Sequence, residues 1–457
     1  MNRGIEAVAS PLPAFSALGP EPVLEPAVYE HRVEILRSRM SELGLGAVIV
    51  YADREHIANA SYLTGFDPRF EEALVVVQPF GLPVVIAGNE SISMVEDSPM
   101  ELRGVLAQSL SLAGQPRATQ PRVASALQEA RVDASSTIGV IGWRPIDHAD
   151  SPTGALSVAI PQFILNEILA FSEGRVVDAT GLLAGLDGLR SVNQVEQLAL
   201  NEHRSTRASQ HVWRAIEAMR PGVSELDLSA EMRLTGSPLS AHIMLTTGAE
   251  RANGLRSPTD RIIREGDRLS TAVSLQGGLT ARAGRVIDSG HAEFEQTLEF
   301  VSTYWRAITT WYESLTLGTP TGEIVASVRE VLAAGGIRPM LNPGHLQHLD
   351  EWLDSPFVPG SARRLYSGMS LQADIIPVGP TPGFISNAED ALALADSELR
   401  DEFADRFPSA WERITKRRTS MIEELGIRLP DEVLPFADRQ AMLPPALLEP
   451  QTILALR

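Results

Sequence analysis

The sequence predicts an α/β domain over roughly the first 185 residues, followed by a second domain of mixed helices and antiparallel strands. In the first part, short apolar runs at residues 47–51, 73–78, 83–88, 138–143 and 176–178 alternate with helical stretches, the order of a layered α/β sheet. In the second, a long amphipathic helix precedes two apolar runs, residues 269–275 and 279–286, joined through Gln276-Gly277-Gly278 as a hairpin.

Residues 1–25 hold four prolines and no unbroken apolar run of the secretory type, so they read as a loosely ordered arm. Residues 29–43 carry Val33, Leu36, Met40 and Leu43 at helical spacing, closed by Gly44 and Gly46. Pro79-Phe80-Gly81-Leu82 separates two strands as a hairpin turn. The domain boundary falls at residues 181–190. Beyond it Val195, Leu198, Ala199, Val212, Ile216 and Met219 make one buried helical face, ended by Pro221-Gly222, and Ser224 with Asp227 forms a capping box. Residues 242–247 read as a strand. The aromatics Tyr304, Trp305, Trp311 and Tyr312 read as core, residues 321–334 as a helix, and residues 409–425 as another whose Lys416-Arg417-Arg418 forms a solvated face.

The composition narrows the classes of function. Apolar residues make up 44% and charged residues 21%, the balance of a soluble globular protein. A net charge of −19 argues against nucleic acid and anionic membrane as partners. With no cysteine there is no disulfide, thiolate metal site or cysteine nucleophile. No stretch of about 18 uncharged apolar residues appears in the sequence, so no membrane span is expected. A cytoplasmic protein is expected.

The hairpin at residues 264–285, together with Gly344-His345, Gly368-Met369 and Glu389-Asp390, resembles the core of the pita-bread fold shared by methionine aminopeptidase, Xaa-Pro aminopeptidase, prolidase and creatinase. Ala60-Ser61-Tyr62-Leu63-Thr64-Gly65-Phe66, followed by Arg69-Phe70, is similar to a segment of the creatinase and prolidase N-terminal domain. The resemblance implies an α/β N-terminal domain over residues 26–185, an α+β pita-bread domain over 186–396, and a C-terminal helical extension over 397–457. It also implies a homodimer in which Phe66 and Arg69 contact substrate in the partner's site.

The same resemblance exposes departures. The peptidases bridge two metal ions with two hairpin aspartates; here Ala272 stands at the first position, six residues after Gly266, and Arg282 at the second, three before Arg285. A methyl group cannot ligate, and a fixed cation repels metal. Of the other ligand positions, His345, Asp374 and Glu389 keep competent side chains, while Trp352 replaces a second histidine and Leu255 the expected proton carrier. The expectation is therefore a creatinase-like hydrolase without metal or other cofactor, cleaving a C–N bond in a small carboxylate-bearing compound. His345 would be the acid/base and Glu389 and Asp374 would orient it or bind a cation. Arg282 or Arg285 would clamp the carboxylate, with His348 on the adjoining turn. Two alternatives stand beside it: a mononuclear Xaa-Pro-type peptidase with metal on His345, Asp374 and Glu389, and a non-catalytic pita-bread binding protein.

Overall fold

A computed structural model describes the chain apart from residues 1–2, 120–121, 152–155, 249–253 and 380–383. It divides into two compact units, residues 23–191 and residues 1–22 with 192–457.

The first unit is built on a six-stranded sheet in the order Arg103–Leu106, Val84–Ala87, Ala73–Val77, Ala47–Ala52, Ile138–Ile141, Val176–Asp178. Ala47–Ala52 is buried at every position, because it runs between an antiparallel neighbour, Ala73–Val77, and a parallel one, Ile138–Ile141. Helix Pro26–Glu42 precedes the first of these strands in the chain, and Val123–Glu129 and Gln162–Phe171 account for helical stretches between later ones. Helix Ala58–Thr64 stops at Gly65, whose φ of 72° is the left-handed cap a side chain would resist.

The second unit has a seven-stranded antiparallel sheet. Its path is His345–Leu346, Ser370–Gln372, Asn387–Leu394, Gly278–Arg285, Arg268–Leu275, Met244–Gly248, and Val433–Pro435 pairs with Asn387–Leu394 off that path. The hairpin Arg268–Leu275/Gly278–Arg285 is central and buried along nearly its whole length. Helix Val195–Glu217 lies against it. Gly278 permits that approach, since a Cβ there would sit 2.5 Å from the Ser205 nitrogen. The capping box of Ser224 and Asp227 is formed at helix Glu225–Ala230. Tyr304, Trp305, Trp311 and Tyr312 are fully buried on helix Phe294–Glu313, so the aromatic run is core.

Two expectations change here. Within the N-terminal arm, Ile5–Ala9 forms a strand antiparallel to Thr452–Leu456, and Ser16 hydrogen-bonds Asp438 through both its nitrogen (2.8 Å) and its hydroxyl (2.6 Å). The described part of the arm is thus an ordered piece of the second unit. Nor is Lys416-Arg417-Arg418 a solvated face. Lys416 alone is solvent-facing; Arg417 is buried between Glu202 and Asp438, and Arg418 donates to the Pro430 carbonyl at 2.8 Å. The C-terminal residues belong to the same core, where Phe403, Ala410, Ile414 and Phe436 pack with Val195, Leu198, Ala391 and Ala393.

Candidate active site

Successive side chains of a strand point to opposite faces of its sheet. Ala281 pairs with Ala272 across the hairpin and with Glu389 across the other edge, so these three share a face. Two methyl groups therefore occupy that face beside the glutamate.

His345 enters from the edge strand next to Ser370–Gln372, on a turn that Gly344 makes possible: its φ is 102°, and a Cβ there would lie 2.9 Å from the Trp311 ring. The Gly344 nitrogen donates to the Asp374 carbonyl at 2.8 Å, which ties the histidine turn to the aspartate loop. The imidazole is fully buried. Its Nε2 lies 3.2 Å from Glu351 Oε1 and 3.9 Å from Glu389 Oε1, and its ring stacks on Trp352 with centroids 4.1 Å apart. Glu389 is steadied from behind: Asn387 Nδ2 donates to its Oε2 at 3.2 Å, and the Tyr304 hydroxyl donates to Asn387 Oδ1 at 3.3 Å.

The electrostatics follow from crowding acids in a dry place. Burial opposes the imidazolium, but Glu351, Glu389 and Asp374 outweigh it and hold the His345 pKa up at about 10. Burial raises the Asp374 carboxyl well above its usual range, with the Glu389 charge adding to the effect. Glu389 is raised as well, by burial first, against the counter-pull of His345. Asp374 Oδ1 is buried without a hydrogen-bond partner. The cluster thus holds more acid than its one base neutralises, and the two buried carboxyls favour retaining a proton.

The sequence-predicted residues divide accordingly. The structure brings His345, Asp374 and Glu389 together. Sequence reasoning missed Glu351, although it sits immediately before Trp352, the residue expected to mark a lost histidine. His348 is also fully buried on the same turn, with its backbone nitrogen on the Asp350 carbonyl at 3.1 Å.

Arg282 needs correction. It lies one residue out of phase with Ala281, so it points to the opposite face, where Nη1 and Nη2 grip Asp390 at 3.0 and 2.8 Å. Buried and neutralised there, it neither clamps substrate at the His345 cluster nor repels a cation from it. Arg285 is likewise mostly buried and ion-paired with Glu293. In the first unit, Phe66 is packed in the interior. Arg69 is partly exposed, 3.7 Å from Asp67.

A test of metal fit gives two answers. The two-ion centre of the peptidases does not fit, since Ala272 supplies no donor and Arg282, at the second position, is a cation bound to Asp390 on the opposite face. One ion has a donor set: His345, Glu351 and Glu389 each offer an atom, all mutually within 4.8 Å. Among the described residues no helix is long and apolar enough to cross a membrane.

Comparisons with known proteins agree with the architecture. Residues 203–383 match the model of metallopeptidase family M24. A search of curated proteins gives no match. Among solved structures, a dipeptidase from Mycobacterium ulcerans is 18% identical, covering 81% of this chain and 94% of its own, at TM-score 0.59. The prolidase from Pyrococcus horikoshii is 14% identical, with 80% and 95% covered and TM-score 0.60. A histidine-to-alanine variant of Escherichia coli aminopeptidase P is 16% identical, with 85% and 99% covered and TM-score 0.56. The family match covers residues 203–383, and over most of the chain the solved structures share the pita-bread fold.

Proposed function

We propose that the protein is a hydrolase of the creatinase and Xaa-Pro peptidase superfamily that works without a metal, cleaving an amidine, ureido or amide C–N bond in a small carboxylate-bearing compound. One observation carries this reading. On the sheet face that bears Glu389, alanine faces alanine at 272 and 281, while an imidazole stands within reach of two carboxylates.

In this reaction water adds across the bond: a C–O bond forms, the C–N bond breaks, and the departing nitrogen takes a proton. His345, charged at neutral pH and buried, is placed to give that proton. Glu351 accepts the proton of the attacking water, and the unpartnered Asp374 Oδ1 is available to a substrate N–H. Arg282 and Arg285 are engaged elsewhere, so Arg69 of a second copy is the remaining candidate for the substrate carboxylate, which makes a homodimer part of the proposal.

A second reading is favoured by the three donor atoms within 4.8 Å. Here one divalent ion on His345, Glu351 and Glu389 would polarise the scissile carbonyl of a Xaa-Pro-type peptide. Elemental analysis of protein purified without added metal separates the two, combined with a panel of guanidino acids, ureido acids and Xaa-Pro dipeptides assayed with and without EDTA. The metal-free reading expects turnover that survives EDTA and disappears in His345→Gln and Glu389→Gln. Stoichiometric metal with EDTA-sensitive dipeptide cleavage would replace it with the second reading, and no turnover at all would leave a binding protein.

A further inference from the structure

Behind the candidate site, on the far face of the sheet, cations and aromatic rings alternate in a column. The Arg282 guanidinium lies 5.3 Å from the centre of the Trp213 indole, and the Arg439 guanidinium 5.1 Å from the same ring. Arg439 in turn lies 4.3 Å from the ring of Phe15, and Arg214 lies 5.2 Å from Phe15. The column starts at the residue that grips Asp390, the neighbour of Glu389, and ends at an aromatic of the N-terminal arm.

The segment carrying Arg439 is strained. Arg439 and Ala441 adopt φ of 56° and 58°, a left-handed conformation that side chains other than glycine resist, twice in three residues. Its backbone is spent on the same pair: the Ala441 nitrogen donates to Asp390 Oδ2 at 2.9 Å, and Arg282 donates to the Arg439 carbonyl at 3.2 Å and to the Met442 carbonyl at 3.1 Å. Arg282 also reaches the Glu389 carbonyl at 3.3 Å. The arm holds the strained segment in place from outside. The Pro13 carbonyl accepts from Arg439 Nε at 3.0 Å, and Ser16 is bonded to Asp438. Strain of this kind persists only where surrounding contacts over-determine it.

We infer that the N-terminal arm, through Phe15 and Arg439, is a positioning element of the catalytic centre that holds the Glu389–Asp390 peptide in register from behind. It touches no substrate. This inference rests on the catalytic reading of the His345–Glu389 cluster, but its test need not. The fold around Phe15 leaves the ring half-buried, so a substitution there removes one tier of the column without opening the core.

The test compares full-length Phe15→Ala, Phe15→Tyr and Phe80→Ser, the last altering a solvent-exposed ring of the other unit. The readout is the His345 ring resonance in histidine-labelled protein, assigned through His345→Gln. Phe15→Ala is expected to displace that resonance at an unchanged melting profile of the unit 23–191. Phe15→Tyr restores it and Phe80→Ser leaves it alone. Where the panel above yields turnover, Phe15→Ala lowers kcat by about ten- to a hundredfold with KM nearly unchanged, the cost of a misplacement of about 1 Å. A protein without turnover overturns the catalytic reading but still reports the resonance. An unmoved His345 signal in Phe15→Ala, or equal displacement in Phe80→Ser, overturns the inference.

Discussion

At the scale of single residues, His345 decides how the site behaves with pH. Its imidazole is penalised by burial yet stabilised more strongly by Glu351, Glu389 and Asp374, so its folded pKa, about 10, stands above the ordinary value of 6.5. A base raised in this way contributes stability that is fully present below pH ~6.5 and is lost as pH rises through ~10. Replacing it with glutamine leaves buried carboxylates without their cation, a loss of about 3–5 kcal/mol by analogy with broken buried pairs. The expected outcome is a urea midpoint for His345→Gln below wild type at pH 7, with the gap narrowing towards pH 10; a gap constant with pH would show that His345 is neutral in the folded protein. The residues of this cluster were unevenly legible. His345, Asp374 and Glu389 lie in or beside regular strands, where turn glycines and alternation mark them. Glu351 lies in an irregular stretch with no period to read. Arg282 was seen, but its face was not, because counting back from Arg285 falls one residue out of phase with a pleat whose register only the pairing reveals.

At the scale of elements, the central hairpin separates two chemistries: methyls and acids on one face, an arginine–aspartate pair on the other. That pair is fully buried, held at 2.8 Å, and supplemented by backbone carbonyls and the Ala441 nitrogen. Removing one partner strands a charge, whereas removing both can be nearly neutral if volume is kept. Arg282→Met is accordingly expected to cost about 3–5 kcal/mol, and Arg282→Met with Asp390→Leu to recover most of it in a double-mutant cycle. Additive losses would mean that the two side chains act separately. Helices and the hairpin were readable because each shows an apolar face at its own period, from Val195 to Ile216 or across residues 269–286. Strand Ile5–Ala9 was hidden in front of a proline-rich stretch, and Val433–Pro435 is too short for alternation to register. The buried Arg417 looked like a surface charge because Lys416 and Arg418 flank it. Only the acids of distant segments show otherwise.

At the scale of the whole molecule, the second unit is closed by charges contributed from both ends of the chain. Glu202, fully buried on the long helix, accepts from Arg413 Nε at 2.9 Å and from Arg417 Nη1 at 2.6 Å. Arg417 also reaches Asp438 at 2.9 Å, and Asp438 in turn holds Ser16 of the N-terminal arm. One buried cation thus joins the arm, the long helix and the C-terminal segment. Each unit has its own apolar core: Ile49, Val76, Ile86 and Val140 in one, Leu198, Ala391, Phe403 and Phe436 in the other. Separate cores need not melt together. Arg417→Met strips buried Asp438 of its cation and leaves Glu202 only Arg413, and is expected to lower the stability of the second unit by about 3–5 kcal/mol while residues 23–191 unfold at their original midpoint. Hydrogen exchange followed across urea concentration distinguishes the two sets of amides. The N-terminal arm, strand Thr452–Leu456 and the hairpin should lose protection together, at lower urea than wild type. Early exchange confined to the arm would mean that Arg417 anchors a terminus and no more. A matching shift in the amides of Ala47–Ala52 would mean that the two units unfold as one.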